Sequence, residues 1–273
     1  MTIPALDTLV ISLAQGVARI SLNRPDKANA INLRMWEDLR HAMRWLGRTE
    51  AARVGILDAR GRHFCAGLDL GTFAELRQLT AQACEGRARE RLREHILDIQ
   101  DTVTAIDHCP KPVMAAVHGA CVGGGIDIIA ACDLRYASAN AWFCVKEIDV
   151  GLVADVGTLQ RLPRLVGEGL AREMAFTGRR VDGPEAQSMR LVNQCFDSDE
   201  ALAHGVMSMA QTLAAKSPLA LRGTKHMLNH ARDHSIAEGL DHVATWNAAM
   251  MYSQDLDEAM TAAREKRAPL FRD

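Results

Sequence analysis

The stretch His118-Gly-Ala-Cys-Val-Gly-Gly-Gly-Ile-Asp127 decides the fold of this chain. It follows an apolar run, 113–117, that predicts a buried strand, and it leads into a predicted helix at 125–131. Glycines let a backbone turn tightly and come close to a ligand. The first N–H groups of a helix lack partners within it, and the helix dipole favours negative charge there. The stretch therefore predicts a strand, a glycine turn and a helix whose start can hold an anion or an oxyanion.

The stretch from His118 to Asp127 also has other interpretations. The turn could be a tight junction needed only for packing. A dinucleotide site is disfavoured, since Gly119 and the triplet 123–125 do not form G-x-G-x-x-G. The apolar segment 113–134 also raises the question of a membrane span, but His118, the glycines and Asp127 would leave polar groups uncompensated in a bilayer. We interpret it as buried.

A second turn, Phe64-Cys-Ala-Gly-Leu-Asp69, also lies between a predicted strand and a predicted helix. If the two turns face each other, one N–H from each could stabilise a thioester oxygen that gains negative charge. Such donors are commonly worth about 3 to 4 kcal/mol each. Either turn alone is more often structural than catalytic, so the pair carries the hypothesis.

Strands and helices alternate along the first two thirds of the chain, which predicts an α/β fold. Apolar spacing predicts strands at 9–13, 17–22, 54–58, 113–117 and 134–137, and helices at 32–46, 69–79, 85–106 and 125–131. Three further helices are predicted at 202–214, 219–234 and 236–264. We therefore divide the chain into a core, 1–198, and a helical region, 199–273, that packs on the core and on neighbouring subunits.

Composition bounds the classes of protein. Of the 273 residues, 48% are hydrophobic and 24% charged, which is typical of a globular protein. A net charge of −2 offers nucleic acid or an anionic membrane no electrostatic footprint, so neither is expected as a partner. Seven cysteines without Cys-x-x-Cys spacing indicate neither a disulfide framework nor a zinc knuckle. With no export signal visible, we expect a cytoplasmic protein.

Four ordered motifs resemble the crotonase (enoyl-CoA hydratase/isomerase) superfamily, and the resemblance runs from about residue 10 to Arg267. The motifs are Leu22-Asn-Arg-Pro25 with Asn29-Ala30, Phe64-Cys-Ala-Gly-Leu-Asp69, Lys111-Pro-Val-Met-Ala-Ala-Val-His-Gly119 and Gly123-Gly-Gly-Ile-Asp127. The resemblance implies a spiral of ββα repeats and a C-terminal helical region used in homotrimers or homohexamers. It also implies an acyl-CoA substrate, with coenzyme A as part of that substrate and no separate cofactor.

The resemblance also implies where the substrate binds. By position, the oxyanion donors are the N–H groups of Leu68 and Gly124, and Ala66 lies near the adenine. The tail residue Lys266 is expected to contact a CoA phosphate. The further residues expected at the substrate are Ala28, Gly67, Asp69 and Leu70.

Acidic residues decide which reaction such a site catalyses. Asp127 follows Gly124 by three residues, although compensation of the helix dipole alone would also explain it. The segment 145–157 carries Glu147, Asp149 and Asp155 among apolar residues. Apolar surroundings raise a carboxyl pKa and make it competent to exchange protons near neutral pH. We expect Asp149 to be the exposed one.

The segment 146–163, together with Asp127, resembles the dienoyl-CoA isomerases of the superfamily. Hydratases have two glutamates at the double bond, whereas here the first position is Asp127 and the second Glu147; Asp155 is the distinctive residue. The resemblance implies that Glu147 and Asp155 transfer the protons and that Asp127 supports them. Moving a 3,5-diene to a 2,4-diene removes a proton from C2 and adds one at C6, so we assign Glu147 to C2 and Asp155 to C6.

Two alternative reactions and one non-catalytic alternative remain open at this point. Hydration or a Δ3-Δ2 shift would use the same oxyanion hole. A catalytically silent acyl-CoA-binding scaffold is an alternative of another class. A metal site at His226, His230 and His234 is disfavoured, because no acid joins them in an H-E-x-x-H pattern.

Overall fold

The computed structural model describes residues 2–273. Within that range the strands are β1 (Leu9–Ala14), β2 (Val17–Leu22), β3 (Val54–Ala59), β4 (Val113–Val117), β5 (Ala120–Val122), β6 (Leu134–Ser138), β7 (Trp142–Cys144), β8 (Val181–Asp182) and β9 (Gln194–Phe196). The helices are α1 (Leu33–Arg48), α2 (Gly71–Thr80), α3 (Glu85–Asp107), α4 (Gly124–Ala130), α5 (Thr158–Val166), α6 (Glu168–Thr177), α7 (Gly183–Ser188), α8 (Asp199–Ala214), α9 (Pro218–His230), α10 (Ile236–Met250) and α11 (Gln254–Glu265).

Two sheets form the core. The larger has the strand order β1-β2-β3-β4-β6-β9, and the smaller has the order β5-β7-β8. In the larger sheet β1 and β2 are antiparallel and the other neighbours are parallel. Every residue of β3 and β4 is buried, which explains why these strands read as continuous rather than alternating apolar runs. The predicted α/β class is confirmed.

The chain changes sheets at Gly119, between β4 and β5. Gly119 has a φ of +58°, and a Cβ built on it would lie 2.2 Å from the carbonyl oxygen of Arg62. Only glycine fits this crossing without moving the backbone that leads into the turn at 64–69. Gly119 therefore sets the two glycine-bearing turns against each other.

The structure divides two predicted segments differently. The predicted turn at 119–124 contains β5, a strand too short for apolar periodicity to reveal. The predicted helix 236–264 is two helices, because the Ser253 side chain accepts a hydrogen bond from the Leu256 N–H and begins α11. No proline or glycine stands between the two helices, so the sequence carries no strong breaker signal at this point.

The helical region begins directly after Ser198, whose side chain caps α8. Helix α8 packs on the larger sheet through Leu202, Val206 and Ala210. Helix α9 is tied to the core by Lys225, whose buried Nζ lies 2.7 Å from Asp133 Oδ2. Helix α10 has no buried residue. Because α8 packs directly on the larger sheet, the structure marks no boundary between core and helical region at residue 198. The division there stays a prediction.

Candidate active site

The two glycine turns lie side by side. The Cys65 N–H donates to the Ala120 carbonyl at 2.8 Å, and the Val122 N–H donates to the Cys65 carbonyl at 3.0 Å. These bonds form a short parallel pairing between the residues that open each turn. The backbones therefore converge just beyond it, at Gly67 and Gly123.

Leu68 and Gly124 each present a backbone N–H at this point. Leu68 is flanked by Gly67, whose carbonyl accepts the Ile31 N–H at 2.8 Å, and by Asp69, whose N–H donates to the Ile31 carbonyl at 2.9 Å. Since successive amides alternate in direction, the Leu68 N–H faces away from Ile31. Gly124 begins α4, where an N–H has no partner in the helix. Neither N–H donates a hydrogen bond to any group in residues 2–273.

Gly123 brings a carboxyl group to the oxyanion donors. Its φ is +51°, and a Cβ built on it would lie 3.0 Å from Glu147 Oε1. The Gly123 N–H donates to the Cys144 carbonyl at 3.0 Å, which fixes the turn to β7. The missing side chain therefore lets the Glu147 carboxyl approach the start of α4.

One cavity of about 560 Å³ contains all five predicted reacting groups. Leu68 and Gly124 line it together with Asp127, Glu147 and Asp155. Its size is that of a small-molecule site. The remaining wall is mostly apolar and includes Leu70, Phe73, Leu76, Leu92, Ile96, Ile99 and Leu152. This arrangement can hold an apolar chain with one polar end at the two amides.

Asp127 is buried and held in place by Thr158. Only 2% of its surface is exposed, and Asp127 Oδ1 accepts hydrogen bonds from the Thr158 N–H and hydroxyl, both at 2.7 Å. Burial raises the pKa of Asp127 to about 7, against the lowering effect of Thr158 and with the help of the nearby Glu147 charge. Asp127 is therefore a fixed carboxyl that titrates near neutral pH.

Glu147 and Asp155 share this environment. Glu147 Oε2 is buried and has no hydrogen-bond partner among the described residues. Burial raises the pKa of Glu147, and the charge of Asp155 raises it further. Asp155 is exposed, unlike the half-buried Glu147 and the buried Asp127, and partial desolvation at the cavity raises the pKa of Asp155 as well. All three carboxyls therefore have pKa values above those of solvated acids, and the nearby Glu147 and Asp155 charges contribute to the raised pKa of Asp127.

Asp149 behaves differently from its neighbour Glu147. It is exposed and forms an ion pair with Lys146. It is not among the residues that line the cavity. The predicted exposed position of Asp149 is confirmed.

The other predicted substrate residues divide into two groups. Ala66, Gly67 and Leu70 line the cavity. Ala28 is not among the lining residues; its carbonyl accepts the Ala66 N–H at 3.0 Å and its own φ is +49°. The contact of these four residues with substrate stays a prediction.

Asp69 and Lys266 lie outside the residues that line the cavity. The Asp69 carboxylate forms a 3.0 Å ion pair with Arg24, and this hydrogen bond lowers the pKa of Asp69. Asp69 Oδ1 also accepts the Gly71 N–H at 3.1 Å, which places the carboxylate at the start of α2. Lys266 is exposed and ends α11 in the left-handed conformation. Their substrate contacts also stay predictions.

Two residues that support the site were missed. Asn29 is fully buried, accepts the Arg24 N–H, and donates to the carbonyls of Arg60 and His63, all at 2.8 Å. Asn29 therefore ties the segment 24–30 to the backbone that leads into the turn at 64–69. Thr158 holds Asp127 although the two are 31 residues apart. A neutral threonine gives no sequence signal of such a contact. Asn29 did have a signal, because it belongs to the first of the four motifs described above.

His242 of α10 joins the three predicted histidines, His226, His230 and His234, in one cluster. His226 Nε2 lies 2.9 Å from His242 Nε2, and the His230 ring stacks on His234 with centroids 3.7 Å apart. Between residues 2 and 273, no group of three or more His, Cys, Asp or Glu is arranged to hold a metal ion. The predicted lack of a metal and of a separate cofactor stays a prediction.

A search for membrane spans within the described range found no helix that combines the length and the apolar character needed to cross a bilayer.

Comparison with known proteins decides the family. The model of the family described as enoyl-CoA hydratase/isomerase matches residues 12–273. The chain belongs to this family. It is 44% identical to the peroxisomal Delta(3,5)-Delta(2,4)-dienoyl-CoA isomerase of Arabidopsis thaliana over 99% of both chains. It is 40% identical to the mitochondrial enzyme of that name from Mus musculus, over 94% of this chain and 79% of the mouse protein.

Solved structures of this family share the fold. The enoyl-CoA hydratase of Bacillus anthracis superposes with a TM-score of 0.88 at 30% identity, covering 97% of this chain and 99% of that one. The enoyl-CoA hydratase of Mycobacterium smegmatis gives a TM-score of 0.84 at 30% identity, over 97% and 99% of the two chains. The predicted crotonase-type fold is confirmed.

The predicted cytoplasmic location is wrong. The similar isomerases are named peroxisomal in Arabidopsis thaliana and mitochondrial in Mus musculus and Dictyostelium discoideum. The prediction rested on the cysteine pattern and on the lack of a visible export signal, and the cysteines are indeed free. Free thiols argue against strongly oxidising compartments, but they do not distinguish the cytosol from other compartments that keep thiols reduced.

Proposed function

We propose that this chain isomerises 3,5-dienoyl-CoA to 2,4-dienoyl-CoA. The observation that carries the proposal is the single cavity that contains two unpartnered backbone N–H groups and three carboxyls of raised pKa. The relatives that are 40% to 44% identical over most of the chain bear the name of this activity.

The thioester carbonyl binds at the two amides. The Leu68 and Gly124 N–H groups donate to its oxygen, which becomes negative when a proton leaves C2. Donors fixed in advance stabilise this enolate more than they stabilise the substrate, by about 3 to 4 kcal/mol each. The apolar wall then directs the acyl chain past the acids.

Two acids act at different carbons of that chain. Glu147, next to Gly123 and the oxyanion donors, removes the proton from C2. Asp155, which lines the same cavity, donates a proton at C6 as the double bonds move. The raised pKa of Glu147 makes it a stronger base than a solvated carboxylate, and the raised pKa of Asp155 keeps a larger protonated fraction available. Asp127 supports both as a buried third carboxyl.

A comparison of substrates tests the proposal. We expect the purified protein to turn over 3,5-dienoyl-CoA with a higher kcat/KM than 2-enoyl-CoA or 3-enoyl-CoA. Each reaction is followed by its own product, which for 3,5-dienoyl-CoA is the conjugated 2,4-dienoyl ester measured by its absorbance. Faster hydration of 2-enoyl-CoA would favour a hydratase, and a faster Δ3-Δ2 shift would favour the simpler isomerase. Binding of all three esters without turnover would favour a silent scaffold.

We further propose that the chain forms a homotrimer or homohexamer through its helical region. Large apolar side chains are exposed there, including Ile236 (84%), Leu240 (63%), Tyr252 (94%) and Met260 (57%). Exposed apolar surface of this kind is typical of a protein interface. Light scattering is expected to give three or six times the mass of the chain, and a stable monomer at micromolar concentration would contradict this.

A further inference from the structure

The loop that carries Asp155 is anchored mainly by apolar packing, since Ala154 lies in the hydrophobic core and Val156 packs against it. Asp155 lies in an irregular segment, 151–157, between the short 3-10 turn Glu147–Val150 and α5. Within residues 2–273 the Asp155 carboxyl forms neither an ion pair nor a hydrogen bond with another side chain. Contacts of the loop backbone, and not of the Asp155 carboxyl, must therefore set the position of this carboxyl in the cavity.

Gln100 of α3 supplies the tie. Gln100 Nε2 donates to the Asp155 backbone carbonyl at 2.6 Å. Across the described chain, no other side chain from outside the loop forms a hydrogen bond with residues 151–157. A carbonyl oxygen only accepts hydrogen bonds, so the amide nitrogen of Gln100, and not its oxygen, must face the loop.

The same helix forms part of the acyl wall. Leu92, Ile96 and Ile99, spaced three and four residues apart, line the cavity from α3. Gln100 and Asp155 also both line a neighbouring cleft of about 480 Å³. Helix α3 thus contacts the proposed acyl chain and, one residue after Ile99, holds the proposed acid.

We infer that Gln100 is a positioning residue that fixes Asp155 relative to Glu147 and to C6 of the substrate. The inference rests on the proposed function. Without the Gln100 N–H, the loop keeps its sequence and its acid but loses its side-chain anchor. A misplacement of about 1 Å at a reacting group can cost about 10²-fold in rate. The step that suffers is proton delivery at C6, because Glu147 sits outside this loop.

Gln100→Met tests the inference, since it keeps the length of the side chain and removes the donor. In D₂O we expect kcat to fall about 10- to 100-fold with little change in KM. Exchange of the C2 proton should continue at close to the wild-type rate, while deuterium incorporation at C6 falls with kcat. Gln160→Met is the matched control: Gln160 lies on α5 and lines the same neighbouring cleft, and its side chain forms no hydrogen bond within the described residues.

The outcomes separate the possible failures. Wild-type kcat and C6 deuteration in Gln100→Met would overturn the inference alone. An equal fall in C2 exchange and C6 delivery, with a lower Tm, would show a general structural role and would also overturn it. If the wild-type chain itself fails to isomerise 3,5-dienoyl-CoA, the proposed function is overturned and this inference with it.

Discussion

Replacing Glu147 with Gln is expected to slow isomerisation of 3,5-dienoyl-CoA by about 10²- to 10⁴-fold, the usual contribution of a positioned acid or base. The amide keeps the shape of the side chain beside Gly123 but cannot accept the C2 proton. KM should change little, because the two amides and the apolar wall still bind the thioester. The measurement is kcat for the 2,4-dienoyl product together with C2 exchange in D₂O, both of which should fall.

Asp149→Asn is the matched control for Glu147→Gln. Asp149 lies two residues away, is exposed and does not line the cavity, although Lys146, its ion-pair partner, does. It undergoes the same change from acid to amide, and we expect nearly wild-type turnover. Unchanged C2 exchange in Glu147→Gln would exclude Glu147 as the base at this carbon.

Replacing Asp155 with Asn is the second change with a large expected effect, again about 10²- to 10⁴-fold in kcat. The signature differs from that of Glu147→Gln. Glu147 remains able to remove and return the C2 proton, so C2 exchange in D₂O should persist while 2,4-dienoyl-CoA formation falls by this factor. NMR of the recovered substrate measures the first and absorbance measures the second.

A normal rate of product formation in Asp155→Asn would mean that another acid, Asp127 or water, protonates C6. Loss of C2 exchange together with product formation would instead point to a disturbed cavity. The midpoint of thermal unfolding distinguishes that case, because Asp155 is the most accessible acid and its isosteric replacement should leave stability within about 0.5 kcal/mol.

Together these variants assign the two proton transfers separately. The proposed assignment is supported by two contacts: the Glu147 carboxyl lies beside Gly123 at the start of α4, whereas the Asp155 backbone is hydrogen-bonded to Gln100 of α3. Gln100→Met is expected to give a milder form of the Asp155→Asn signature, which ties the positioning role to the chemistry.

Local patterns were sufficient to predict much of the molecule. The predicted core strands and helices differ from the observed ones by no more than two residues at either end, because buried strands and amphipathic helices carry their periodicity in the chain itself. The elements between 158 and 196 were not predicted. Of these, β8, α7 and β9 have two to six residues and are too brief to show a period, whereas α5 and α6 are longer and were simply not assigned.

The sequence by itself determined the α/β class, the two glycine turns and the acids Asp127, Glu147 and Asp155, since residue type and order carry these features. Only the tertiary structure decided that the Leu68 and Gly124 amides share one cavity with those acids, and that Thr158 and Gln100 hold two of them. The reason is physical: a hydrogen bond between residues 31 or 55 positions apart depends on how the sheets and helices pack, and a neutral threonine or glutamine shows no local sign of it.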